Sequence, residues 1–217
     1  MSPADDPGHD MARLHTGDWW QYAAEGSITR EGRMLALRGE VRVTIERREA
    51  GGRPRDAIVF TPGYRIVGTG GPDGVFPMPT GLFYFEQDAM TLAVSIAGDN
   101  MGPDGSDRFA HVPQVFYPGR FDADTTYDNV LDFSPHGRVA NTLRTAGVET
   151  VETALGRFAA WKALISSTSE QFGRVEGCDW WRPGLGAPLR FEMVATMPDG
   201  SRLQTVAVLR ATSRALA

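Results

Sequence analysis

"MLALRGEVRVTIERRE", residues 34–49, is the stretch on which the fold turns. Leu35, Leu37, Val41, Val43 and Ile45 occupy alternate positions, and Arg38, Glu40, Arg42, Thr44, Glu46 and Arg48 occupy those between. Successive side chains of an extended chain point to opposite faces. The pattern therefore predicts a long antiparallel strand with one dry and one wet face. The preceding "WWQYAAEGSITR" (19–30) is expected to run antiparallel beside it, reversing at "EGR" around Gly32.

The same period recurs along the chain. "AIVF" and "YRIVG" (57–68, split by "TPG"), "GLFYFEQ" (81–87), "MTLAVSIA" (90–97), "FAHVPQVFY" (109–117) and "VANTLRTAGVETVET" (139–153) read as strands. "FAAWKALISSTSEQF", "EGCDWWRP", "LRFEMVATM" and "RLQTVAVLRA" complete the series. Asp199-Gly200 between two alternating runs marks a hairpin. About ten strands joined by Gly/Pro/Asp turns predict an all-β fold, a single antiparallel β-barrel or a strongly curved sheet. Residues 17–217 are read as that one domain and 1–16 as a partly flexible N-terminal segment, with 8–16 a short helix or turn capping one end. "ALGRFAAWKALI" (154–165) also fits a helix, because Leu155, Phe158, Trp161 and Ile165 share a helical face; the β-rich flanks favour strand.

The totals exclude several classes. The chain has 217 residues, a formal net charge of -5 and no basic run, so neither nucleic acid nor an anionic membrane is an expected partner. Only Lys162 among the 22 basic residues is lysine, and the arginines are scattered rather than gathered into an anion site. Cys178 is the single cysteine, which rules out an intramolecular disulfide and a thiolate metal site. His9, His15, His111 and His136 lie far apart with no ligand spacing, so no metal is expected. No phosphate-binding, dinucleotide or Gly-x-Ser-x-Gly motif occurs, and no cofactor is expected. "MSPADDPGHDMARL" is polar and acidic, reads as neither signal peptide nor lipoprotein leader, and leads to a cytoplasmic assignment.

The aromatic residues carry the functional question. In "GDWWQY" (17–22), Trp19 and Trp20 must face opposite sides of a strand, while Trp20 and Tyr22 share one. "CDWWRPGLG" repeats the arrangement, Trp180 facing with Cys178 and Trp181 with Asp179. Either these rings plug a core, or Trp20, Tyr22, Phe85, Tyr117, Trp161, Trp180 and Trp181 line a pocket for a small apolar organic molecule. Ionisable groups within apolar strands supply the candidate chemistry: Glu86, Asp132, Asp179 and Glu192. A carboxyl facing a dry cavity can serve as general acid or base. Asp179 and Glu86 are the candidates for that role, with Tyr84 orienting a carbonyl; the alternative is that each acid lies on the wet face or pairs with an arginine, as Glu192 with Arg190.

Two resemblances bear on this. Gly17-Asp18-Trp19, on the first strand after a short N-terminal turn, resembles the opening signature of lipocalins and related calycin barrels, and "TTYDN" (125–129) is loosely similar to their second signature. That resemblance implies a barrel with a tryptophan at its closed end and a small hydrophobic ligand inside. Residues 147–210, with "GVETVETALGRFAAWKA" and the Trp-x-x-Pro-Gly-x-Gly of "WWRPGLG", are similar to poorly characterised bacterial β-rich proteins. This second resemblance implies a curved antiparallel sheet and carries no established chemistry.

The expected function is therefore a pocket for a largely apolar molecule. A cofactor-free cyclase, isomerase or lyase is favoured, since holding a flexible substrate in shape needs no recognisable motif. The alternatives are a lipocalin-like carrier without catalysis, or a packed structural or interaction protein. Edge strands left exposed by an incomplete barrel would favour a homodimer.

Overall fold

The structure, a computed structural model, describes residues 6–50, 53–67, 74–76, 81–86, 89–96, 114–117, 119–132, 138–170 and 173–215, with backbone alone for 50, 53, 81–86, 89–96, 114–117 and 131–132. The strands are β1 (Trp19–Arg30), β2 (Arg33–Ala50), β3 (Arg53–Ile66), β4 (Val75–Phe76), β5 (Gly81–Glu86), β6 (Ala89–Ile96), β7 (Gln114–Tyr117), β8 (Thr126–Asp132), β9 (Arg138–Thr153), β10 (Gly156–Ser169), β11 (Gly173–Arg182), β12 (Ala187–Thr196) and β13 (Arg202–Thr212). They form one antiparallel sheet in the order β7-β6-β5-β3-β2-β1-β13-β12-β11-β10-β9-β8, with β4 added to β3. Among the described residues no ladder joins β7 to β8, so the sheet is strongly curved but not closed.

Residues 34–49 lie within β2 as the alternation requires. Leu37, Val41 and Ile45 are buried on the concave face. The β1–β2 turn is Glu31-Gly32, with φ of 51° and 74°. Two consecutive positive φ values give the turn whose twist matches the flanking strands. Curvature comes from missing side chains on the concave face. A Cβ on Gly39 would lie 1.9 Å from the Gly63 carbonyl oxygen, and one on Gly177 would lie 2.2 Å from that of Glu192. Only glycine permits such backbone approach, which lets the sheet bend sharply. The bend brings distant strands face to face: Phe60 on β3 and Phe191 on β12 have ring centroids 6.1 Å apart, although β2, β1 and β13 lie between those strands.

Three expectations are corrected, and part of a fourth lies outside the described residues. "TPG" does not split 57–68; β3 runs through Pro62, which pairs with Val41 of β2. On the other side of β3 the β5 ladder ends at Phe60 and the β4 ladder begins at Tyr64, so the missing proline N–H falls in a gap. β8 and β4 add strands that the period did not reveal; β8 reads "TYDNVLD", too polar to stand out. Residues 109–113 of the expected strand at 109–117 lie outside the described residues. The described part of the N-terminal segment is an extended strap with no helix. Its backbone bonds go to other elements rather than to itself: Met11 N–H to Gly119 O at 2.9 Å, Ala12 N–H to Pro183 O at 2.8 Å, and Phe121 N–H to His9 O at 2.8 Å.

Candidate functional site

Alternation on the central strands aims Trp20 and Tyr22 of β1, Val43 and Ile45 of β2, and Asp179 and Trp181 of β11 into the concavity. With Phe60 and Tyr64 of β3, Phe191 of β12 and Thr205 of β13 they surround a cavity of about 360 Å³. The strap supplies one wall through Leu14, which is 5% exposed. Leu14 seats on Gly186, whose φ of 73° ends the 3-10 turn Pro183–Leu185 between β11 and β12. The wall is overwhelmingly aliphatic and aromatic.

Its few polar groups are mostly engaged. The Tyr22 hydroxyl donates to Pro188 O at 2.9 Å. Burial holds this phenol well above its ordinary pKa, and the charge of Asp179 raises it further, so it is a neutral donor at physiological pH. Tyr64 and Thr205 share a hydroxyl–hydroxyl hydrogen bond, and burial also raises the Tyr64 phenol against the lowering effect of that bond. The indole N–H of Trp20 is buried with no hydrogen-bond partner among the described residues. Asp179 is half-buried and stands opposite Phe191 in the β11–β12 register. Glu192 borders the cavity and is paired with Arg190, the partner anticipated from the sequence. No Lys, Arg or His is among the described residues that line the cavity. No cluster of three or more His, Cys, Asp or Glu among the described residues could hold a metal ion.

Of the residues singled out from the sequence, the fold brings Trp20, Tyr22, Asp179 and Trp181 together around this cavity. Trp180 is corrected: it points away, on the opposite face of β11. There Lys162 Nζ lies 5.3 Å and the Arg190 guanidinium 5.2 Å from its ring centroid, and its Nε1 donates to Glu149 at 2.8 Å. Hydrogen bonds from Trp180 and Lys162 hold the Glu149 carboxyl below its ordinary value. Trp161 is also placed elsewhere, under the strap: its Nε1 donates to Gly8 O at 2.8 Å and its ring lies 5.2 Å from His9. Tyr84, Phe85 and Glu86 are on β5, Tyr117 is on β7 and Asp132 ends β8; their side chains lie outside what the structure describes, as do His111 and His136. Sequence reasoning passed over Leu14, Phe191 and Thr205. Phe191 carried a signal, an aromatic at an alternating position beside Glu192; Leu14 carried none, because its role depends on where the strap lies.

No protein-family model matches the chain, and no curated protein matches it. Among solved structures it is similar to a protein of Bacteroides fragilis with a YmcC-like fold, assigned as exported, at 12% identity over 95% of this chain and 100% of that one, with a TM-score of 0.41. It is similar to a protein of Parabacteroides distasonis assigned as a lipoprotein, at 14% identity over 96% and 100%, TM-score 0.43. A DUF1329 family protein of Desulfovibrio piger shares 13% identity over 93% and 88%, TM-score 0.24. These likenesses are too distant to transfer a function. The open sheet departs from a closed lipocalin barrel. Trp19 is not at a closed end: it is half-buried, with the Arg42 guanidinium 5.5 Å from its ring centroid. The cytoplasmic assignment does not stand, because the first two of these proteins are assigned as exported and as a lipoprotein.

Proposed function

We propose that the protein binds a small, largely apolar organic molecule between the concave face of its sheet and the N-terminal strap. The observation that carries this reading is the cavity of about 360 Å³ walled by Trp20, Tyr22, Phe60, Trp181 and Phe191. Its size falls within the ~300–1,000 Å³ of small-molecule sites, and the mixture of apolar wall with a few polar groups is the usual one. Rigid rings and branched aliphatics gain contact with an apolar guest at little entropic cost.

A second reading is favoured by one feature, the Asp179 carboxyl on the cavity wall. On that reading the bound molecule undergoes cofactor-free cyclisation, isomerisation or elimination, with Asp179 moving the proton. Tyr22 is not the acid, because its hydroxyl is given to Pro188 O.

The test is native mass spectrometry of the freshly purified full chain, followed by titration of tryptophan fluorescence with apolar compounds. A co-purifying molecule, or saturable quenching, is expected. Absence of both overturns the reading. Turnover of a bound compound that stops in Asp179→Asn would establish the catalytic form; binding without turnover would establish the carrier.

A further inference from the structure

We propose that the guest is a neutral amphiphile: a hydrocarbon chain seated in the cavity, with an uncharged, hydroxyl-bearing head lying on a row of polar side chains at the cavity's edge, Ser167, Asn141 and Asn129. The inference rests on the ligand-binding reading above and deepens it. Among the described lining residues the polar groups of the cavity itself are already engaged. Tyr22 gives its hydroxyl to Pro188 O. Tyr64 and Thr205 bond to each other, and Thr205 donates onward to Glu25 O. Glu192 is paired with Arg190, and Asp179 has an interaction of its own. The indole N–H groups of Trp20 and Trp181 are buried in the wall. A polar group carried into this space would give up water without recovering a hydrogen bond. The part of the guest held there is therefore hydrocarbon.

The polar row follows from register. Ile165 of β10 and Val175 of β11 line the cavity. Ser167 is two residues beyond Ile165 and directly opposite Val175, so it shares their face and adjoins both. Opposite Ser167 on β9 is Asn141, and opposite Asn141 on β8 is Asn129. The side chains are joined in that order: Ser167 Oγ donates to Asn141 Oδ1, and Asn141 Nδ2 donates to Asn129 Oδ1 at 2.9 Å. Asn141 is 6% exposed, while Ser167 and Asn129 on either side of it are half-buried. The concave face thus passes from apolar to polar in a single step across the β10–β11 ladder.

The chemistry of the row selects the head. A serine hydroxyl has one proton and two lone pairs, and a carboxamide nitrogen has two protons. Ser167 gives its proton to Asn141 and keeps acceptor capacity; Asn141 uses one N–H on Asn129 and keeps the other. A hydroxyl answers both, donating to Ser167 Oγ and accepting from Asn141 Nδ2. The row carries no charge, so an ammonium or carboxylate head drawn onto it would lose water and meet no counter-ion there. The charges nearest the cavity do not alter this. Glu192 and Arg190 neutralise each other, and Lys162 and Arg190 stand at Trp180 on the other face of the sheet.

The experiment compares four probes of equal chain length, glycerol mono-octanoate, methyl octanoate, octanoate and octylamine, by tryptophan-fluorescence titration of the full chain at pH 7 below their aggregation concentrations. The glycerol ester is expected to bind about tenfold more tightly than the methyl ester, and more tightly than either ion. Ser167→Ala should bring the glycerol ester down to the affinity of the methyl ester. Ser167→Thr, which keeps the hydroxyl, should keep the preference. Equal binding of the two esters by the unmodified protein, or tighter binding of either ion, overturns the inference while leaving the apolar site standing. Failure of all four probes to bind overturns the site and the inference together. The comparison among probes on the unmodified chain decides the matter even if a variant does not fold.

Discussion

Asp18 shows how much a single side chain does at the start of β1. Its Oδ2 accepts the His15 N–H at 2.6 Å and the Arg214 guanidinium at 2.5 Å. The two side chains of that ion pair are 15% and 18% exposed, respectively. Burial pushes the Asp18 carboxyl up, but the hydrogen bonds from Arg214 and His15 and the charge of Arg214 outweigh it, and the carboxyl sits below its ordinary value. A carboxyl with a lower pKa folded than unfolded stabilises the fold above the unfolded value, ~4, and loses that contribution as the pH falls through the folded value. Asp18→Asn is therefore expected to cost about 1–3 kcal/mol at pH 7. Urea melts of the two proteins should converge as the pH falls below ~4. Tyr64→Phe makes a contrasting case inside the cavity. Thr205, the partner of the Tyr64 hydroxyl, also donates to Glu25 O at 3.4 Å, so it is not stranded by the change. The expected loss is about 1 kcal/mol by the same measurement. Neither partnership was legible beforehand: Gly17-Asp18-Trp19 looked like an opening signature, and nothing local announces that Asp18 meets Arg214 from the far end of the chain.

Among the elements, the strap is the one whose position the sequence could not supply. It contains too little periodic pattern to declare itself, and the backbone bonds at His9, Met11 and Ala12 that dock it are made with distant segments. Strands were more legible because alternation is local: β1, β2, β5, β6 and β9 to β13 fall where the period placed them. The helix-or-strand ambiguity at 154–165 resolves as a two-residue turn, 154–155, and β10, in which Phe158 faces one side and Trp161 and Ile165 the other. A bulge at Trp161/Ala163 shifts the register on the β9 side. The strap depends on Gly186. There a Cβ would meet a φ of 73° and lie 2.4 Å from Leu14 Cδ2. Gly186→Ala should therefore lose about 1–2 kcal/mol and unseat the strap. Hydrogen exchange is the check: the Ala12 amide, bonded to Pro183 O, should exchange faster in Gly186→Ala than in the unmodified protein. Gly184→Ala, with nothing within 4 Å of the added carbon, should leave that amide unchanged.

At the scale of the whole molecule, curvature turns one face of a sheet into a container. Alternation tells which residues share a face; it does not tell whether that face closes on packed side chains or on space. This is why each Trp-Trp step could be read as one ring in and one out, but not which ring meets space. Trp20 and Trp181 line the cavity, while Trp19 lies beside Arg42, and Trp180 between Lys162 and Arg190. The glycines at 39 and 177 set the bend, and the strap completes the wall. Filling that space tests whether it is where a guest resides. Val43 is on the concave face of β2, opposite both Trp20 and Phe60 in its ladders, and it borders the cavity. Val43→Phe adds apolar volume where there is room, so the empty variant should gain about 1 kcal/mol and melt about 2–4 °C higher. A guest at a hundred times its dissociation constant should stabilise the unmodified protein by about 2.7 kcal/mol, a rise of roughly 5–10 °C for a domain of this size. In Val43→Phe that ligand-dependent rise should disappear while the higher baseline remains, in paired thermal melts with and without the guest. A variant that still shows the full rise would place the guest somewhere other than this cavity.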